Sequence, residues 1–155
     1  MMEVTIEALS GDRFSFEAPQ GEGYRDEGDY HVGEIYQGYS YCKETGVYVA
    51  DLYFGIAAEL DCDDSPENIR RAYEKHHGAA DGFSVERAGH PVFEWRAEFR
   101  NAGMHRIIYW KKIDEFELFA CELLLKADLT EKELQEKLLD DFERMVRSCK
   151  AQPEE

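Results

Sequence analysis

The sequence predicts an α+β fold, an antiparallel β-sheet of about six to seven strands flanked by helices in an α/β/α sandwich, and three observations predict it. First, Phe93, Trp95, Ala97 and Phe99 alternate with Glu94, Arg96, Glu98 and Arg100, the period-2 pattern of a strand with one buried face. Second, residues 92–125 break into three strand-like runs, this one, 104–110 rich in β-branched and aromatic residues, and 116–125, separated by turn residues at 101–103 and 111–115, a meander of consecutive antiparallel strands. Third, apolar residues recur at helical spacing in residues 65–77 and 130–149, while residues 116–125 are apolar on both faces and call for cover on both.

In chain order, Val4, Ile6 and Ala8, a turn at Ser10-Gly11-Asp12, then Phe14 and Phe16 read as an opening hairpin that Pro19 ends, because proline cannot extend a ladder. Residues 20–33 combine four glycines with Asp26, Glu27 and Asp29 and read as a long acidic loop. Residues 34–42 and 47–58 are the next two strands, joined by Lys43-Glu44-Thr45-Gly46. Ser65 is the expected N-cap of the first helix, with Pro66 at its first position and Gly78 beyond its end. A connector follows over 79–90, in which Phe83 and Val85 start a short strand. After the meander, Thr130 and Glu133 form a capping box ahead of a helix whose buried stripe is Leu134, Leu138, Met145 and Cys149. Residues 151–155 are a frayed tail, and 1–155 is one domain.

Charge narrows the function. With 18 Lys and Arg against 34 Asp and Glu, the formal net charge is −16. Binding phosphate backbones or anionic lipid needs clustered cations, so nucleic acid and membrane are not expected partners. The amino terminus carries no basic region ahead of an apolar run, and a cytoplasmic protein is expected. Cys42, Cys62, Cys121 and Cys149 show no C-x-x-C spacing and read as small buried hydrophobes.

No catalytic or cofactor motif is present, and no catalytic, cofactor-binding or metal residue is predicted. The acidic run from Asp61 lacks the glycine and glutamate of a calcium loop at its sixth and twelfth positions, where Pro66 and Ala72 stand. His76 and His77 diverge by about 100° on a helix and complement its negative end instead of sharing a metal. A site assembled from His31, His90 and His105 remains as the enzymatic alternative; Glu94, Glu98 and Glu117 could make a carboxylate pair, but their alternation with Arg96 and Arg100 reads as cross-strand charge pairing on an exposed face. Tyrosines crowd the second hairpin; such rings either pack a core or line a binding face. Tyr24, Tyr30, His31, Tyr36, Tyr39 and Tyr41 are the candidate partner-binding residues.

The order of elements resembles the Mog/PsbP-like superfamily. Arg13-Phe14-Ser15-Phe16-Glu17-Ala18-Pro19 resembles its short strand ending in proline, residues 65–77 its helix, Gly89-His90-Pro91-Val92-Phe93-Glu94-Trp95 its glycine-led strand, and residues 142–148 its closing helix. A tryptophan usual after the proline is replaced by residues 21–30. The resemblance implies an antiparallel sheet with helices on both sides and members that bind proteins. The expected function is therefore a non-enzymatic, cytoplasmic protein-binding module of adaptor or effector-chaperone type, its partner a protein with a basic or apolar segment. The alternatives are an acidic, immunity-type inhibitor of a basic toxin and an enzyme or small-ligand binder without a recognisable motif.

Overall fold

The computed structural model describes residues 2–8, 11–30, 35–56, 67–68, 70–71, 74, 81–101, 103–113 and 118–152. Ten strands and one complete helix occur among them: β1 (Glu3–Glu7), β2 (Arg13–Glu17), β3 (Tyr24–Tyr30), β4 (Ile35–Cys42), β5 (Tyr48–Ile56), β6 (Asp81–Arg87), β7 (Trp95–Asn101), β8 (Met104–Lys112), β9 (Leu118–Lys126), α1 (Lys132–Ser148) and β10 (Lys150–Ala151). The strands form two antiparallel sheets, a large one in the order β3-β4-β5-β9-β8-β7-β6 and a small one in the order β1-β2-β10.

This overturns the expected α/β/α sandwich and the fold that the resemblance implied. The architecture is mostly β, two sheets and a helix. The reason lies at the chain's two ends. The opening hairpin does not extend the large sheet; β10 pairs with β2 instead, Lys150 opposite Ser15 and Ala151 opposite Phe14, and closes a separate ribbon. That ribbon turns Ile6, Phe14 and Phe16 into the main core, where Phe16 lies 4.1 Å from the Phe54 ring and Phe14 stacks on Phe119 at 4.2 Å. A sheet therefore does part of the covering expected of a helix. It also corrects the frayed tail: Ala151 is a ladder residue, and Gln152 N–H donates to the Arg13 carbonyl at 2.8 Å. Residues 153–155 lie outside the described residues.

The three-strand meander forms as expected, with β7–β8 and β8–β9 in continuous register. Its side chains sort differently. Ile107 and Ile108, adjacent on β8, belong to separate apolar clusters on opposite faces, as pleating requires. Trp95, Ala97 and Phe99 face the second cluster with Trp110, but Phe93 packs in the main core beside Phe54 and Phe119. The alternation from Phe93 onward thus breaks at the bend before β7. Arg96 is not on an open face either: its side chain is 19% exposed and lies under α1, near Glu143.

Two further expectations change. Residues 24–30 are strand, not loop: β3 is an edge of the large sheet, bent by register shifts around Gly28. Gly23 starts it because a Cβ there would meet the Cys42 carbonyl at 2.7 Å. Residues 81–87, expected as a connector with a short strand, form the opposite edge, β6. Glu67, Asn68, Arg70, Arg71 and Glu74 are helical and carry i,i+4 ion pairs. The caps at Ser65, Pro66 and Gly78 lie outside the described residues. In α1 the expected capping box is absent: Glu131 is the N-cap and makes no side-chain cap bond. Leu138, Phe142, Met145 and Val146 are its buried face.

Candidate functional site

Tyr24 begins β3 and Tyr41 sits opposite it on β4, both on the face toward α1. Their rings meet edge to face at 4.9 Å, Lys137 Nζ stands 5.0 Å and 5.3 Å from the two centroids, and the Tyr24 hydroxyl donates to Asp141 Oδ2 at 2.7 Å. Lys137 also donates to Asp141, one turn along α1. Two rings, a cation and a carboxylate thus clamp the helix to the edge of the sheet. Burial, reinforced by Asp141, pushes the Tyr24 hydroxyl well above its usual range, so it stays a neutral donor.

The remaining predicted residues divide. Tyr36 is half-buried and tilts against Phe119; Tyr39 is 5% exposed, edge-on to Phe16, with its hydroxyl buried and outside hydrogen-bond geometry with any described residue. Tyr30 closes β3 opposite Ile35, and His31 lies outside the described residues. The structure therefore brings Tyr24 and Tyr41 together and turns Tyr36 and Tyr39 into the core.

The clamp sits in an acidic rim. Glu22, just before the edge strand, and Asp26 on it are exposed, and Asp140 is exposed on α1; Glu136 lines a separate cleft with Arg100, His105 and Lys126. Asp26 is held in shape, accepting from the Gly28 N–H at 2.7 Å and from Gln37 Nε2 at 2.8 Å. Glu27 accepts from the Ser40 hydroxyl at 2.6 Å on the far face of the sheet. Sequence alternation could not reveal this rim, because its two halves come from residues 22–26 and 140–141.

The two described histidines, His90 and His105, serve local structure. His90 Nδ1 accepts the backbone N–H groups of Val92 and Phe93, and its ring lies 5.3 Å from Phe93. His105 Nε2 pairs with Glu98 at 2.7 Å, and Glu98 also faces Arg96. Glu94 pairs with Arg87, and Glu117, Cys62, His76 and His77 lie outside the described residues. Among the described residues no three His, Cys, Asp or Glu side chains gather as metal ligands, and no helix is long and apolar enough to cross a membrane.

No protein-family model matches the chain, and no curated protein matches it in sequence. Among solved structures it is similar to LpqN of Mycobacterium tuberculosis, described as involved in cell envelope biogenesis, with a TM-score of 0.51 and 12% identity over 98% of this chain and 91% of that one. The likeness is one of fold.

Proposed function

We propose that this chain is a non-enzymatic protein-binding module, an adaptor or chaperone in a cytoplasmic setting, that meets a basic segment of its partner. The observation that supports it best is the acidic rim where β3 joins α1: three exposed carboxylates, Glu22, Asp26 and Asp140, accompany a side-chain clamp that keeps strand and helix in fixed relation. Such a preorganised patch of one sign steers an oppositely charged surface and loses little entropy on docking. The bends and charges of β3 also discourage edge-to-edge pairing between copies, which leaves the edge available to a chosen partner.

An acidic inhibitor of a basic toxin would use the same rim, and only the partner's own activity separates the two. The test is affinity capture from the native organism with the wild-type chain and with Glu22→Lys/Asp26→Lys. A stoichiometric partner is expected, lost in the variant, with an association rate that falls steeply as salt rises. Capture that ignores both the charge reversal and the salt would defeat the proposal. A partner whose enzymatic activity is blocked on binding would select the inhibitor reading.

A further inference from the structure

Where the end of β8 meets the small sheet a cleft of about 850 Å³ opens, and its lining inverts the charge of the molecule. Arg13, Lys111 and Lys112 face it, together with Phe14, Gln152 and a single described carboxylate, Asp12. Several cations elsewhere meet carboxylates: Lys43 with Glu131, Arg87 with Glu94, Arg106 with Glu122, Lys137 with Asp141. Among the described residues Arg13, Lys111 and Lys112 have no ion pair, and they stand together.

Packing accounts for the meeting. Phe14, next to Arg13 on β2, stacks at 4.2 Å on Phe119, the cross-strand partner of Lys111. One aromatic contact between the sheets therefore brings the start of β2 to the end of β8. The cleft's wall is firm as well: Gln152 ties β10 to β2 through its N–H to the Arg13 carbonyl and its side chain to Ser15 Oγ at 2.5 Å.

We propose that this cleft is a binding site for a small multivalent anion, a phosphorylated or polycarboxylate metabolite. Among the described lining residues three cations against one carboxylate leave a surplus of two positive charges. Low-dielectric walls at Phe14 and Ile113 focus that charge. The volume suits a small molecule. A polymer such as nucleic acid would be repelled by the net charge of −16, whereas a compact anion fits inside the cleft beside its cations. Arginine offers a planar fork to phosphoryl or carboxylate oxygens, and the lysines add mobile point charges. This site is separate from the acidic rim and does not depend on the protein-binding proposal.

The test is isothermal titration calorimetry of the full chain with pyrophosphate and with citrate at low ionic strength. Saturable binding of at least one anion is expected, weakened about tenfold or more in Arg13→Gln/Lys112→Gln. It should be unchanged in Lys132→Gln, which removes an exposed cation of α1 outside the cleft. Melting curves confirm that each variant is folded. The tighter of the two probes tells a phosphoryl ligand from a carboxylate one. Failure of both anions to bind, or equal weakening by Lys132→Gln, would overturn the proposal and leave these cations to the carboxylates that follow them in sequence.

Discussion

Arg106 and Glu122 form an ion pair sealed inside the large sheet: Nη1 donates to Oε1 at 3.0 Å, and the two side chains are 9% and 3% exposed. The Tyr53 hydroxyl donates to the other carboxylate oxygen at 2.5 Å, so both oxygens of Glu122 are engaged. These three residues occupy neighbouring strands of the face opposite α1, at the border of the second apolar cluster. Breaking a buried pair from one side strands a charge without water. Glu122→Leu should therefore destabilise the fold by about 3–5 kcal/mol in urea denaturation, whereas Arg106→Met/Glu122→Leu should recover much of that loss. Equal destabilisation by the single and double variants would show that the pair's charges are solvated.

The clamp at the edge strand predicts a smaller effect. Tyr24→Phe removes the hydroxyl that Asp141 accepts but keeps the ring under Lys137, and about 1–2 kcal/mol should be lost, since the bond is charge-assisted. Tyr24→Ala removes the contacts with Tyr41 and Lys137 too, and should cost about 3–5 kcal/mol. If the edge is held chiefly by its ladder with β4, the two substitutions will cost the same, which chemical denaturation distinguishes.

His90 predicts a pH dependence of definite sign. Burial lowers its folded pKa below the ordinary 6.5, the nearby Val146 and Arg147 carbonyls offsetting this only in part, and Nδ1 must stay unprotonated to accept from Val92 and Phe93. The unfolded chain therefore binds the proton first as pH falls. Stability from this residue is present above about pH 6.5 and is lost as pH drops through the window between the unfolded value and the lower folded one. His90→Asn keeps an acceptor oxygen without titrating. The stability difference between wild type and variant, measured from pH 8 to 5, should shift against the wild type on acidification; a flat difference would refute it.

Thiol reactivity should separate the cysteines. Burial pushes the Cys149 thiol up to about 12 and the fully enclosed Cys121 thiol well above its ordinary value, while Cys42 is half-exposed on β4. In Cys62→Ser protein, an aromatic disulfide reagent should modify Cys42 in the native state and reach Cys121 and Cys149 only on unfolding. Rapid native modification of Cys149 would mean that the junction between α1 and β10 opens readily.

How much of this was legible beforehand depended on the range of the interaction. Alternation in residues 95–100, the β-branched and aromatic run at 104–110, the turn at Gly46 and the helical stripe through Leu138 and Met145 are local patterns, and each element they predict is present. The edge strand β3 was hidden because glycine and carboxylates dominate it, and its ladder with β4 stabilises what local propensity does not. The tyrosines were visible as a group, but pleating and the position of α1 decided that Tyr39 is buried and Tyr24 clasps a helix.

By itself the sequence determined a chain rich in antiparallel strands, strongly acidic, with a closing amphipathic helix. Only the tertiary structure decided that the first hairpin joins the last two strand residues as a second sheet, and that Arg13 meets Lys111 and Lys112 across more than ninety residues. Strand period reports which residues share a face, not which sheet that face will cover. That choice is made by packing between distant segments, here the stacking of Phe14 on Phe119, and such contacts leave no periodic trace in the chain.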